Sequence, residues 1–340
     1  MAEKIFKRLV IDKILPFFDS KDVIVLHGAR QVGKTSIMLY LQNLLKEKSA
    51  QSFFIDLEDS RLVRILDGGV SEFIKFLREE GEGAPNKKKD GIKFFVFIDE
   101  IQYLENPSSF LKLLADHHPE IKIIASGSSS FNIKNKFKDS LVGRTVNFEI
   151  HPLSFEEFLL FNEYYFDAKQ ETTEKKKNEL VDKYVDYVLF GGYPKIVLTP
   201  EVEKKEKYLQ QIIDTYIKKD IRDLANIKNV NKFNYLLEIL ASQSGQLLNV
   251  TELANTVGIA KQTVEEYLFL LEQTYILRLL RPYSTNKRAE LSKMPKIFFY
   301  DTGLAQMLWM KQLQKNIVGQ IFETSVFSEL IKKYGIDKIY

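Results

Sequence analysis

Cysteine is absent from the 340-residue sequence, and histidine occurs only four times. A chain without cysteine forms no disulfide, holds no zinc through thiolates and offers no thiol nucleophile. The histidines, at His27, His117, His118 and His151, are too scattered to predict a metal cluster. Long apolar runs are also missing, since no segment approaches the roughly 20 residues that span a membrane. The N-terminal residues lack the apolar core of a secretory signal, so we expect a cytoplasmic location.

An excess of one charge is missing as well. The sequence has 49 basic and 46 acidic residues, which gives a formal net charge of +3. This balance neither requires nor excludes a nucleic-acid partner, so any basic surface has to be local. Hydrophobic residues make up 45% of the chain, which suffices for the cores of two or three domains.

A glycine-containing loop follows the first apolar run. Val23 to Leu26 is typical of a strand buried on both faces of a parallel sheet. The segment GARQVGKT, from Gly28 to Thr35, matches the phosphate-loop pattern G-x-x-x-x-G-K-[ST], and apolar residues at helical spacing follow it. In such a loop, backbone N–H groups and the helix N-terminus bind phosphate, and the lysine reaches the outer phosphates. The predicted nucleotide-binding residues are Gly28, Ala29, Arg30, Gln31, Val32, Gly33, Lys34, Thr35 and Ser36.

A second motif ends another apolar strand. Residues 94–102, FFVFIDEIQ, deliver Asp99 and Glu100 to the carboxyl end of a strand, where open α/β sheets bind ligands. Thr35 and Asp99 are the predicted ligands of a Mg²⁺ ion. Glu100 is predicted to polarise the attacking water, and Lys34 joins it as a catalytic residue.

Three further apolar runs complete a predicted α/β fold, a P-loop NTPase sheet of about five parallel strands. SFFIDL (52–57) precedes the acidic strand, whereas IKIIASGSSS (121–130) and TVNFEI (145–150) follow it. In NTPases with a catalytic glutamate, the strand after the acidic one ends in a polar sensor, here Ser126 or Ser128. We assign Ser128 to the nucleotide. Arg144 is the third predicted catalytic residue, an arginine finger or γ-phosphate sensor in its own site or a neighbour's.

The motifs together resemble a known family. GARQVGKTS, FIDEIQ, SGSSS, LVGR, HPLSFEEF and GGYP occur in this order along the chain. The sequence resembles the AAA+ superfamily ATPases of archaea and bacteria that carry a C-terminal winged helix and a nuclease-like region of unknown function. The resemblance implies ATP rather than GTP, and the guanine-reading pattern N-K-x-D is absent, because Arg288 and Ala289 follow Asn286 and Lys287. It also implies homo-oligomers in which one subunit's arginine completes another's site.

Pattern and resemblance divide the chain into four predicted parts. Residues 1–150 are the P-loop ATPase domain with an N-terminal helix, and residues 151–232 are a helical lid. Residues 233–300 are a winged-helix domain, and residues 301–340 are the start of a truncated nuclease-like region. The segment SFEEFLLF, with Ser154 and Glu157 at capping-box spacing, opens a helix in the lid.

A helix-turn-helix pattern lies in residues 249–277. Ala254, Gly258 and Val264 have the spacing of a small contact residue, a turn glycine and an apolar anchor. The second helix exposes Lys261 but also Glu265, so a major-groove reader is not favoured. The following wing contains Arg278, Arg281, Lys287, Arg288, Lys293 and Lys296. It is predicted either to contact DNA phosphates, chiefly through Arg281, Lys287 and Arg288, or to be an ordinary solvated hairpin.

The last predicted helix covers residues 319–335 and places Ile321, Phe322, Val326 and Leu330 inward. In the family it resembles, this helix opens the nuclease-like fold, and Glu323 holds the acidic position. The remaining acidic and lysine residues do not follow, and one carboxylate cannot form a two-acid metal site. This departure argues against nuclease activity of this chain, which is either truncated here or ends in a packing or partner-docking appendage. We predict Glu323 at the surface.

The sequence thus predicts a Mg²⁺-dependent ATPase whose nucleotide state switches a lid and a winged helix, acting on DNA. The alternative is a nucleotide-controlled protein-interaction switch that does not bind DNA. A third class, a small-molecule kinase, shares the phosphate loop but normally has no winged helix.

Overall fold

The computed structural model describes residues 4–80, 94–127, 143–167, 171–215, 227, 229–283, 285–286 and 293–339. The chain divides into two compact units at the junction between Ile150 and His151. Within the described residues, no helix combines the length and apolarity needed to cross a membrane.

The first unit is built on a parallel five-stranded sheet. Its strands are β1 (Val23–Gly28), β2 (Gln51–Asp56), β3 (Phe94–Asp99), β4 (Ile121–Gly127) and β5 (Thr145–Ile150). Their spatial order is β2-β3-β4-β1-β5, and every neighbouring pair is parallel. This confirms the predicted α/β fold and its five strands. Every residue of β3 and β4 is buried, as aliphatic and aromatic runs covered on both faces require.

Helices connect these strands and cover the sheet. They are α1 (Val10–Ile14), α2 (Lys34–Glu47), α3 (Ser60–Asp67), α4 (Val70–Glu80) and α5 (Pro107–His117). The helix α2 buries Ile37, Met38 and Leu41 at the spacing of one helical face. Because the five strands are parallel, their carboxyl ends meet at one edge of the sheet. Helix α2 begins at this edge, directly after β1.

The second unit is mainly helical. Its helices are α6 (Phe155–Phe161), α7 (Glu174–Phe190), α8 (Pro194–Val197), α9 (Val202–Ile212), α10 (Val230–Ser242), α11 (Val250–Val257), α12 (Lys261–Gln273), α13 (Thr302–Met310) and α14 (Gly319–Tyr334). An antiparallel pair, β6 (Leu277–Leu280) and β7 (Lys296–Phe299), follows α12. The predicted capping box of Ser154 and Glu157 is confirmed, since both of its hydrogen bonds form at the start of α6.

The inner face of α14 differs from the prediction. Ile321 is buried, but Phe322, Val326 and Leu330 are 45%, 38% and 39% exposed. The inner face combines Phe327 and Ile331 with small polar residues. The hydroxyls have partners there, since Thr324 bonds to Ser244 and Ser328 donates to the carbonyl of Tyr300. The apolar pattern therefore indicated the wrong face. Glu323 lies at the surface, where it pairs with Lys296 at 2.6 Å.

The GGYP segment packs closely around a buried carboxylate, since a β-carbon at Gly191 would overlap the carboxylate oxygens of Asp301. Asp301 caps α13 and accepts hydrogen bonds from the N–H groups of Leu304 and Gly192 at 2.9 and 2.7 Å. Gly303 lies against the chain end of α7, where a β-carbon would stand 2.2 Å from the carbonyl oxygen of Phe190. Glycine is required at this position because the neighbouring atom is backbone and cannot move aside.

We predict that Gly303→Ala destabilises the protein by about 1–3 kcal/mol, the usual cost of overpacking a core. Gly319→Ala is the matched control, since that glycine also lies in the first turn of a helix and its β-carbon would meet nothing within 4 Å. Urea unfolding of both variants measures the difference. Equal free energies of unfolding would show that the contact at Gly303 is not close.

Candidate nucleotide-binding site

The candidate site lies at the carboxyl edge of the sheet, where β1 leads into the loop before α2. Gly28 ends β1 with φ of +157°, and a β-carbon there would stand 2.1 Å from the carbonyl oxygen of Ile150 on β5. Only glycine therefore lets the chain turn from the strand into the loop beside β5. The loop ends at Gly33, the N-cap of α2. This strand-loop-helix arrangement points a helix N-terminus and loop N–H groups at one place.

Lys34 is buried inside this loop. Its Nζ donates hydrogen bonds to the carbonyl oxygens of Gly28 and Ala29, at 3.2 and 2.6 Å. Burial lowers the pKa of Lys34 to about 8, although the nearby carboxylates of Glu100 and Asp99 act in the opposite direction. The ammonium group is thus held by neutral carbonyls, which an anionic ligand would replace as its partner.

Asp99 joins the loop to the acidic strand. Thr35 Oγ1 donates a hydrogen bond to Asp99 Oδ2 at 2.6 Å, and Ser126 Oγ donates one to Asp99 Oδ1. The carboxyl group is 3% exposed, and burial raises its pKa, while the two hydroxyl donors oppose that rise. A buried carboxylate beside a hydroxyl and a lysine is a site that gains from a bound cation.

Glu100 follows β3 in a left-handed conformation, with φ of +57°. Its N–H donates to Asp99 Oδ1 at 3.1 Å and to Ser126 Oγ at 3.4 Å, and its carboxylate accepts a hydrogen bond from Gln102. A non-glycine residue in the left-handed region of backbone conformation is strained, and it persists only where its surroundings fix it. The structure therefore places the carboxylate of Glu100 beside that of Asp99, as the FIDEIQ motif predicts.

The donor set at this edge suits a magnesium ion. A threonine hydroxyl and a carboxylate are hard oxygen ligands, which Mg²⁺ prefers, and Mg²⁺ usually takes only one or two protein ligands and adds phosphate oxygens and water. Among the described residues, no group of three or more histidine, aspartate or glutamate side chains forms a separate metal cage. Thr35 and Asp99 thus fit an ion that arrives with a phosphate ligand.

The rest of the predicted loop surrounds these groups. Ala29 and Val32 are buried and anchor the loop, Arg30 is partly buried, and Gln31 and Ser36 face solvent. The structure brings the loop residues, Asp99 and Glu100 together. Ser128 lies outside the described residues.

Arg144 does not lie at this edge, so the structure does not bring it to the nucleotide site of its own chain. It precedes β5, and its carbonyl accepts a hydrogen bond from Val23 N, at the amino edge of the sheet. The five residue steps from Val23 to Gly28 separate the two edges by about 17 Å. Its Nε pairs with Asp116 at 2.8 Å. A role in a neighbouring subunit's site stays a prediction.

The residues around this edge are similar to a known domain type. Residues 20–159 match the model of the AAA domain. This match supports nucleotide binding and hydrolysis by the first unit. Residues 181–315 match a domain of unknown function.

Two relatives and one solved structure are similar to this chain along most of its length. An uncharacterized protein of Haemophilus influenzae is 27% identical, over 96% of this chain and 79% of that protein. One of Methanocaldococcus jannaschii is also 27% identical, over 97% of this chain and 70% of that protein. A Walker-type ATPase of Pyrococcus abyssi has the same fold, with a TM-score of 0.55 and 17% identity, over 90% of this chain and 97% of that one.

Two residues of the quoted motifs have contacts at this site that no motif specifies. Ser126 is bonded to Asp99, and the register that pairs Ile98 with Ala125 sets the next residues, Asp99 and Ser126, side by side. Gln102, the partner of Glu100, lies within the quoted motif but has no pattern of its own.

We predict that ATP affinity falls as the pH rises above about 8. Below that pH, Lys34 is protonated in the free protein, and above it the charge has to be restored on binding, at a cost of up to about tenfold in affinity per pH unit. The phosphates of ATP contribute little, because their last proton leaves near pH 6. Titration calorimetry from about pH 7 to 9.5 measures the effect. Lys34→Met should bind weakly with no such decline, and a flat wild-type profile would contradict the assignment.

Proposed function

We propose that this chain is a Mg²⁺-dependent ATPase whose nucleotide state controls the second unit and its action on DNA. The observation that carries the ATPase part is the 2.6 Å contact between Thr35 and Asp99, inside a phosphate loop that also buries Lys34. This contact joins the loop and the acidic strand, so two oxygen groups that would hold a Mg²⁺ ion lie side by side.

Binding of ATP would rearrange hydrogen bonds that already exist. Loop N–H groups and the start of α2 would hold the β-phosphate. Lys34 would transfer its hydrogen bonds from the carbonyls of Gly28 and Ala29 to the outer phosphates. Thr35 and Asp99 would hold the metal ion, which supplies charge neutralisation at the transferred phosphate. We propose ATP rather than GTP because the family resemblance implies it, and the guanine-reading pattern N-K-x-D is absent from the sequence.

Hydrolysis would depend on Glu100. Its carboxylate would accept a proton from the attacking water at the oxygen that Gln102 does not contact. Ser126 would keep Asp99 oriented through its hydroxyl. Ser128, two residues further along, is the proposed contact to the γ-phosphate.

Arg144 would act on a second subunit. Its side chain is 41% exposed, and its partner Asp116 is 36% exposed, so the pair lies at the surface of the first unit. An exposed ion pair contributes little stability and is readily exchanged for a stronger partner such as phosphate. We therefore propose a homo-oligomer in which Arg144 completes a neighbour's site.

In the second unit we propose a helical lid, a winged helix and the start of a nuclease-like region, with the boundaries predicted above. Helices α11 and α12 are joined by a turn in which Gly258 adopts φ of +71°, and the pair β6–β7 follows. The proposed DNA contacts are Arg281, Lys287 and Arg288, of which the last two lie outside the described residues.

A protein partner is the second candidate, favoured by the described charges. Lys261 pairs with Glu265, Arg278 with Glu272, and Lys296 with Glu323, so these cations already have carboxylate partners. A groove of 480 Å³ beside them is lined by Phe269 and Met294, which are 51% and 50% exposed. Such a surface would bind protein as readily as phosphate.

We predict that Glu100→Gln lowers ATP turnover by about 10²–10⁴-fold, because the amide cannot accept the water's proton, while ATP still binds. Glu58→Gln is the matched control, since Glu58 is an exposed carboxylate that follows β2 at the same sheet edge. Phosphate release and calorimetric binding measure the two effects. Equal turnover in wild type and Glu100→Gln would remove Glu100 from the mechanism.

The DNA part is tested by reversing Arg281, Lys287 and Arg288 to glutamate. If they contact phosphates, binding of duplex DNA weakens in the variant. The logarithm of the binding constant also declines less steeply with the logarithm of the salt concentration, by about 3 in the magnitude of the slope. Reversal of the exposed Lys175, Lys176 and Lys207 in the same unit is the control for net charge. If the wild-type protein does not bind duplex DNA, or if its DNA binding does not depend on salt, the DNA proposal is rejected and the protein partner is favoured.

A further inference from the structure

A buried arginine contacts the phosphate loop from outside the sequence motif. Arg8 precedes α1 and is 6% exposed, and its Nη1 donates a hydrogen bond to the carbonyl oxygen of Val32 at 2.7 Å. The segment is held firmly, because Ile11 and Ile14 are fully buried and Ile11 N donates to the carbonyl of Arg8. No nucleotide-binding motif includes Arg8.

The contact fixes the orientation of one peptide in the loop. A trans peptide is planar, so the C=O of Val32 and the N–H of Gly33 point in opposite directions. With the carbonyl held by Arg8, the N–H of Gly33 faces away from the guanidinium. Gly33 is the N-cap of α2, where N–H groups bind phosphate.

We propose that Arg8 is a positioning residue for the phosphates of the bound nucleotide. It acts through the Val32–Gly33 peptide, whose N–H it turns towards the phosphates, and it adds positive charge behind the loop. The inference rests on the proposed function, since it requires a phosphate ligand in this loop. It differs from a purely structural role because it acts on the phosphates and not on the nucleoside.

The test compares ligands that share one nucleoside and differ only in the number of their phosphate groups. Binding of ATP, ADP and adenosine to the full chain is measured by calorimetry in Mg²⁺ for wild type, Arg8→Gln, Arg8→Lys and Arg78→Gln. Arg78 is the matched control, an exposed arginine of α4 in the same unit. We expect Arg8→Gln to weaken ATP binding about tenfold, the effect of losing one hydrogen bond to a charged group. Adenosine binding should not change, and Arg8→Lys should recover part of the loss.

Each outcome decides between the two proposals. If wild type binds ATP and Arg8→Gln binds it within about twofold, or loses ATP and adenosine equally, the role of Arg8 is overturned and the ATPase proposal stands. If wild type binds adenosine as tightly as ATP, the phosphate site itself fails, and both proposals fail with it. Should Arg8→Gln not fold, Arg8→Lys carries the test, with ATP weakened and adenosine unchanged as the expected result.

Discussion

The hydrogen bond between Thr35 and Asp99 is the interaction on which the candidate site depends. It joins the first turn of α2 to the end of β3, two segments separated by 64 positions in the chain. The parallel sheet makes this contact possible, because β1 and β3 end at the same edge with β4 between them. The buried groups around the bond, Lys34 and Ser126, gain their positions from the same strand ends. A change in strand register of one residue would turn Asp99 to the other face of the sheet.

The parts of the site that the sequence predicts are those encoded locally. A glycine loop after an apolar run and an acidic pair after another are short patterns, and the structure brings them together. Ser126 depends on register between strands, which a linear pattern does not contain. Arg144 lies away from the loop of its own chain, because an arginine before a strand lies at the amino edge of a parallel sheet. No sequence pattern indicated Arg8, because its partner is a backbone carbonyl, which any residue provides.

In the second unit, buried polar side chains explain why hydrophobic spacing predicts the inner face of a helix incorrectly. In α14, Glu329 and Lys332 are drawn inward by Tyr187, whose Oη accepts a hydrogen bond from Lys332 Nζ at 2.6 Å and donates one to Glu329. Burial lowers the pKa of Lys332. These contacts and the hydroxyl bonds of Thr324 and Ser328 bind α14 to its own unit. Phe322, Val326 and Leu330 are exposed instead, so the hydrophobic spacing indicated the wrong face.

The most direct test of the central claim is phosphate release from ATP by the wild-type chain and by Asp99→Asn, in the presence of Mg²⁺. The amide keeps the shape of the side chain but removes the negative charge that the metal ion requires. The account predicts saturable release by wild type and a loss of about 10²-fold or more in the variant, the effect of removing one charged transition-state contact. Equal release by both proteins, or wild-type protein that does not bind ATP, would contradict it.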